Sequence, residues 1–202
     1  PDGTFPNHEP NPENKEAMES ICKQVRETGA DLGIIFDTDV DRSAAVTSEG
    51  KPISRNAIVA LAAAIGADDY PGGTVVTDSI TSNELHTFLE DNLGLKHFRY
   101  KRGYKNVINK AIELSKDGEN AFLAIETSGH AAYSDNYYLD DGAFLAVQII
   151  INAANLKKEG KGIEHMITEL AEPAESVEIR FNLTTDNFGE VGDNILDDMK
   201  VW

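Results

Sequence analysis

Cysteine occurs once in these 202 residues, at Cys22, so no disulfide can form within the chain and a reducing compartment is expected. That lone thiol reads as a packing residue on a helix face. No apolar run approaches the roughly 18 residues of a membrane span, and no signal peptide opens the chain, so the expected location is the cytoplasm. Basic residues are scarce as well: Lys and Arg number 18 against 35 Asp and Glu, a net charge of −17. Phosphate backbones would be repelled at long range, which excludes a nucleic-acid binder, and any anionic substrate would need a local basic patch. The chain opens on Pro1 rather than Met and ends at Trp202 inside a helical pattern, so a piece of a longer protein is expected. Internal repeats and low-complexity tracts are lacking too. What remains, 41% hydrophobic and 26% charged, is ordinary for a soluble globular chain with length enough for a sizeable core.

The most informative stretch is LGIIFDTDVDR, residues 32–42. Its β-branched and aromatic opening predicts a strand buried on both faces of a parallel sheet, with Asp37 at the carboxyl end, where open α/β sheets place their ligands. Asp37, Asp39 and Asp41 alternate, so a curl after the strand would turn three carboxylates toward one point. Three hard oxygens with no cysteine or paired histidines nearby suit Mg2+ better than zinc. Arg42 adds an always charged donor fork suited to a phosphate oxygen. An EF-hand also begins D-x-D-x-D but requires Gly and Glu where this chain has Arg42 and Ser48, so it is rejected. A phosphatase of the haloacid dehalogenase type, with Asp37 as nucleophile and Asp39 as acid/base, fits less well because Asp41 stands where Thr or Val is usual there.

Residues 13–28 read as a helix with Ala17, Ile21 and Val25 on one face and Gly29 as its stop. Strands follow at 32–36 and 43–47, the second turning at Glu49-Gly50. Further on, a helix at 57–65, a strand at 74–77, a helix at 82–93, a strand at 97–100, a helix at 104–115 and a strand at 121–125 alternate. A polar, tyrosine-containing loop then leads to an apolar helix at 142–156, with another near 163–170. The alternation implies right-handed βαβ units. The expected fold is α/β, with mostly parallel mixed sheets flanked by helices in two adjoining units, one incomplete. A strand at 176–181 and a helix at 188–202 would open a further unit, and Ala174 marks the boundary.

The strand at 121–125 also ends in an acid and runs into Glu126-Thr127-Ser128-Gly129-His130. Glu126 and Ser128 pair an acceptor with a donor-acceptor, a combination suited to vicinal hydroxyls, and His130 could move a proton or meet a phosphate. Asp140-Asp141-Gly142 reads as acidic capping of the next helix. One basic cluster stands out: Lys96, Arg99, Lys101, Arg102 and Lys105, with Lys101 and Arg102 at the crevice.

Taken together, these residues resemble the α-D-phosphohexomutases. DTDVDR is similar to that family's metal loop D-x-D-x-D-R, and ETSGH followed by DDG to its sugar-binding loop GE-x-SGH. PDGTFPNHEPNPE resembles its second-domain segment, and YKRGYK the third-domain segment that carries a phosphosugar-contacting lysine. The resemblance implies that residues 1–52 are the end of domain 2, residues 53–174 are domain 3, and residues 175–202 begin domain 4. It further implies that Asp37, Asp39 and Asp41 bind Mg2+, that Arg42 and Lys101 hold phosphate, that Glu126 and Ser128 grip sugar hydroxyls, and that His130 stands near the transferred proton. Departures are Ile125 for the usual Gly, Thr127 for Met or Gln, and Asn56-Ala57 where Asp-Arg is frequent. No T-x-SHNP-like serine segment and no fourth-domain phosphate loop occur in the chain. The implied parent is a phosphoprotein isomerase, a phosphomannomutase/phosphoglucomutase that interconverts hexose 1- and 6-phosphates, with this piece inactive alone and partnered by domains 1 and 4 of its own chain. A phosphohydrolase using Asp37 and a non-catalytic phosphosugar-binding module are the alternatives.

Overall fold

A computed structural model describes residues 3–175, 177 and 182–200. The chain forms two compact units, Pro1–Glu172 and Pro173–Trp202. In the second, the helix α6 (Phe188–Met199) occupies most of the stretch expected to be helical. The strand expected at 176–181 lies outside the described residues, Val177 excepted.

The first unit begins with α1 (Lys15–Thr28). Asn14 starts it by accepting the Ala17 amide at 3.0 Å, and Gly29, with φ of 67°, ends it in the left-handed conformation that glycine tolerates. Ala17, Cys22 and Val25 are buried, the latter two against Val46, so Cys22 packs on a helix face as its position suggested. The strands β1 (Leu32–Phe36), β2 (Ser43–Thr47) and the short β3 (Pro52–Ile53) follow, paired in order.

β1 departs from the expected parallel strand. It pairs antiparallel with β2, Phe36 opposite Ser43, and sits at the sheet edge with only Gly33 fully buried. The physical reason is the length of the connection: the loop from Asp37 to Arg42 is long enough for a hairpin and far too short for the crossover that a parallel pair requires.

The second sheet, in the order β5-β4-β6-β7, meets the expectation of a mixed α/β sheet. β4 (Thr74–Asp78) pairs parallel with both β5 (Lys96–Tyr100) and β6 (Leu123–Ile125), while β7 (Ala131–Tyr133) returns antiparallel on β6. The β4–β5 connection holds α3 (Asn83–Thr87), which widens into a π-helical turn at Phe88–Asn92 where the Leu93 amide reaches the Phe88 carbonyl. α4 (Tyr104–Lys116) links β5 to β6 and buries Val107 and Ala111 against Val76, Ala124 and Ala132. The helix predicted near 163–170 is a 3-10 segment, Ile163–Ile167.

After β3 comes α2 (Asn56–Gly66), whose Ile58 to Ala63 are almost wholly buried. A helix apolar all round belongs in an interior. One continuous core joins it to Ala45 and Ile53 of the first sheet, to Val75, Leu123 and Ile125 of the second, and to Leu145 and Ile149 of α5 (Gly142–Lys158). The two sheets thus share one apolar interior, and their loops at the carboxyl ends of β1 and β6 are brought side by side.

On β5, His97 is held between Thr77 Oγ1, 2.7 Å from Nε2, and His86 Nδ1, 3.1 Å from its own Nδ1. Burial, then the nearby Arg99 and His86, depress its pKa from 6.5 to about 3. The unfolded chain therefore takes a proton below pH 6.5 that the folded chain refuses until about pH 3. The stability His97 contributes is complete above the upper value and drains away between the two. Relative to a His97→Gln variant, which keeps a group facing Thr77 without titrating, the wild type should lose about 1–2 kcal/mol on going from pH ~7 to ~5. Urea midpoints of both chains across that range check it.

Candidate functional site

After β1 the chain must reverse within six residues, and Val40 does so at φ of 66°. A β-branched residue pays for that conformation with strain of about 1–3 kcal/mol, and such strain gathers at ligand sites. The curl brings carboxylate oxygens of Asp37, Asp39 and Asp41 within 4.8 Å of one another, the convergence expected from their alternation.

Each carboxylate has a different setting. Asp37 is buried, and its Oδ2 and Oδ1 accept from Arg42 Nε at 2.6 Å and the Arg42 amide at 3.2 Å. Burial pushes this carboxyl up, but the Arg42 bonds outweigh it and hold Asp37 below the usual carboxylate range. Arg42 also donates Nη1 to Asn11 at 3.2 Å, so two of its nitrogens are committed to orienting the loop rather than free for a ligand. Asp39 is exposed. Asp41 is pushed to about 6, mainly by burial, with His130 opposing and Asp37 and Asp140 adding to the rise. Its Oδ1 is shielded from water and accepts no hydrogen bond among the described residues. An all-oxygen set with an unsatisfied buried oxygen fits a hard divalent cation.

The loop after β6 meets this one through the backbone. Arg42 and His130 form an antiparallel bridge, and the Ser43 amide donates to the Gly129 carbonyl at 3.2 Å. Gly129 has φ of 101°, and a β-carbon there would lie 2.6 Å from the Ser43 oxygen. Glycine is required twice over.

Glu126 is buried, Oε1 accepting the Gly103 amide at 2.6 Å and Oε2 the Ser128 hydroxyl at 3.3 Å. Burial raises its carboxyl, with the Gly103 amide opposing. His130 Nδ1 lies 2.8 Å from Asp140 Oδ2 and 3.6 Å from Asp41 Oδ1. Burial alone would lower the imidazole; Asp140, Asp41 and Glu126 together hold it above its ordinary value. Lys101 is exposed on the loop before α4 and makes no hydrogen bond or ion pair among the described residues.

Sequence reasoning missed three participants. Asp141 caps α5, accepting the Phe144 amide at 2.9 Å, whereas its neighbour Asp140 turns instead to His130. Tyr104 stacks on the His130 ring with centroids 4.8 Å apart. Asp78, ending β4 and buried, accepts the Thr127 hydroxyl at 2.9 Å, while burial raises its carboxyl. Asp78 followed the same rule as Asp37, an acid at a strand's carboxyl end, and that signal was legible. An open cavity of ≈ 500 Å³ behind the loop is lined by Lys15, Arg26, Ser43, Arg55, Ser128 and Gly129 and excludes the three loop aspartates.

An α/β core presents a loop of three converging carboxylates, hydrogen-bonded through its backbone to a Glu-x-Ser-Gly-His loop. The chain belongs to the phosphoglucomutase/phosphomannomutase family: the family's alpha/beta/alpha domain II matches residues 1–50 and its alpha/beta/alpha domain III residues 54–173. A phosphomannomutase/phosphoglucomutase of Pseudomonas putida is 29% identical over 184 residues, 91% of this chain and 38% of that protein. A phosphoglucomutase/phosphomannomutase of Thermococcus kodakarensis is 32% identical over 84% of this chain and 35% of its own length. The crystal structure of a phosphoglucomutase/phosphomannomutase family protein from Burkholderia thailandensis aligns with a TM-score of 0.72 at 28% identity, covering 85% of this chain and 35% of that one. The chain thus spans between a third and two fifths of the length of these relatives. Among the described residues no helix is long and apolar enough to cross a membrane.

Proposed function

We propose that the protein carrying this chain interconverts hexose 1-phosphate and hexose 6-phosphate, with mannose or glucose as the sugar, through a phosphoserine and a bisphosphate. It would act in the cytoplasm as a phosphoprotein isomerase. Residues 1–52 would be the end of its domain 2, residues 53–174 its domain 3 and residues 175–202 the start of its domain 4. The observation that carries this reading is the convergence of the Asp37, Asp39 and Asp41 oxygens within 4.8 Å, bonded through Ser43 and Gly129 to the loop of Glu126 and Ser128.

In this reading Asp37, Asp39 and Asp41 would hold Mg2+, which would supply positive charge to offset that of a transferring phosphoryl group. Arg42 keeps Asp37 ionised and fixes the loop, and has one nitrogen left for phosphate. Lys101, exposed on the loop before α4 and without a partner among the described residues, would meet the other phosphate as a mobile point charge. Glu126 and Ser128 exchange their mutual hydrogen bond for two sugar hydroxyls. His130, poised by Asp140, passes a proton to or from the oxygen that gains or loses phosphate. The phosphoserine and the fourth-domain phosphate loop belong to residues other than these 202, so this chain alone turns nothing over.

A hydrolase using Asp37 as nucleophile is disfavoured by the burial of that side chain and its clamp on Arg42. The test is 31P NMR of the full-length gene product given glucose 1-phosphate or mannose 1-phosphate with Mg2+. The 6-phosphate should accumulate with the full-length protein and not with the 202-residue chain. Binding without conversion by the full-length protein would leave a non-catalytic phosphosugar module, and release of inorganic phosphate a hydrolase; either sinks the mutase reading.

A further inference from the structure

Three side chains at the meeting of the two loops converge on one point, and only one of them was needed for the magnesium loop. Asp41, His130 and Asp140 each bring a ligand atom within 4.8 Å of the others. The His130 and Asp140 side chains are only 15% and 14% exposed. Asp41 Oδ1, His130 Nδ1 and both Asp140 oxygens are closed off from water with no well-directed hydrogen bond. Buried polar atoms without a hydrogen bond are uncommon, at about 1–3 kcal/mol each, and the 2.8 Å ion pair of His130 with Asp140 still leaves Asp41 Oδ1 and Asp140 Oδ1 without one, so a shared partner is called for.

The donor set says which kind. Three carboxylates select a hard cation, but one imidazole nitrogen with two carboxylate oxygens suits a zinc-like ion. Bonds of about 2.0–2.1 Å at tetrahedral angles hold ligand atoms about 3.3 Å apart. The separations from His130 Nδ1, 2.8 Å to Asp140 and 3.6 Å to Asp41, straddle that value, and the Asp41 and Asp140 oxygens lie within 4.8 Å of each other. The setting is also braced: Tyr104 stacks on the imidazole face and leaves its edge nitrogen toward the carboxylates, while the Arg42 to His130 bridge fixes the backbones that carry two of the ligands.

We propose that Asp41, His130 and Asp140 form a second metal site that takes a zinc-like divalent ion, with Asp41 as a carboxylate shared with the magnesium loop. Such an ion displaces the proton that would otherwise sit between His130 and Asp140, with water as the fourth ligand. Binding there does not depend on the mutase reading; if that reading holds, the ion also removes His130 from proton transfer and acts as an inhibitor.

Cobalt chloride titrated into the 202-residue chain, with excess Mg2+ occupying the hard-cation loop, tests this. One Co2+ per chain should bind with the intense visible bands of four-coordinate cobalt and be displaced by Zn2+. His130→Gln and Asp140→Asn should each weaken it at least about tenfold, since even outer-shell losses cost that much, while His86→Gln leaves it unchanged. Circular dichroism establishes that the variants are folded. Should either fail to fold, Zn2+ added to the wild type should shift the imidazole nitrogens of His130 and not those of His86 and His97. No stoichiometric binding, the pale spectrum of six-coordinate cobalt, or loss on His86→Gln instead would overturn the site.

Discussion

Replacing Asp41 by asparagine should cut turnover of the full-length protein about a thousandfold while leaving the metal-free chain at least as stable as the wild type. The two signs share one cause. Asp41 stands between Asp37 and Asp140 with a buried, unsatisfied oxygen, and its carboxyl is pushed to about 6. At neutral pH that negative charge is held against the fold, and a neutral amide of equal shape relieves it by about 1 kcal/mol once solvent screening of the partly exposed side chain is allowed for. Under the proposed function the same charge is what would attract Mg2+. Sites that serve ligands at the expense of stability behave in this way. Steady-state kinetics on the full-length pair, and urea unfolding of the 202-residue pair in chelator, would check both arms. A variant that is much less stable and also inactive would show that Asp41 is structural.

Gly129→Ala should destabilise the chain by about 3–4 kcal/mol, with the loss concentrated where the two loops meet. Part is conformational: φ of 101° is strained for any residue with a β-carbon. The rest is steric, since the new methyl would lie 2.6 Å from the Ser43 oxygen and 3.2 Å from its nitrogen, backbone atoms already fixed in β2. A side chain could rotate out of the way; a strand cannot. Gly142 offers an internal comparison. Its β-carbon would fall 2.7 Å from the Arg42 carbonyl carbon, without a positive φ, so Gly142→Ala should cost less than Gly129→Ala. Equal or reversed losses in urea melts would remove the conformational part of the argument.

Much of this arrangement could be read from residue order, and the failures have physical reasons. β1 and β2 were placed within their observed bounds because a compact apolar run and a Glu-Gly turn bracket them. What neighbours a strand is decided elsewhere: the short aspartate loop forced β1 into a hairpin although its composition suited a parallel sheet. β7 was hidden because three residues after a Ser-Gly-His sequence leave no alternation to detect. The convergence of the aspartate loop was legible since its three carboxylates sit at alternate positions in sequence. Asp140 and Tyr104 were not, because each earns its role only when the fold carries it to His130 from another element. Arg42 was recognised as a fixed donor, but its partner, Asp37, lay within the same motif and had been assigned to the metal alone.

The backbone seam between the loops has a consequence for motion. The Ser43 amide bonds to Gly129, the Gly129 amide to Glu126, and the Glu126 amide to His130, so a relay of peptide groups runs from one sheet into the other. None of these protons can reach solvent by a private fluctuation of its own loop; each opening strips a partner from the next. Hydrogen–deuterium exchange should therefore find these amides trading at a common rate, as one cooperative patch that draws a share of its protection from both sheets.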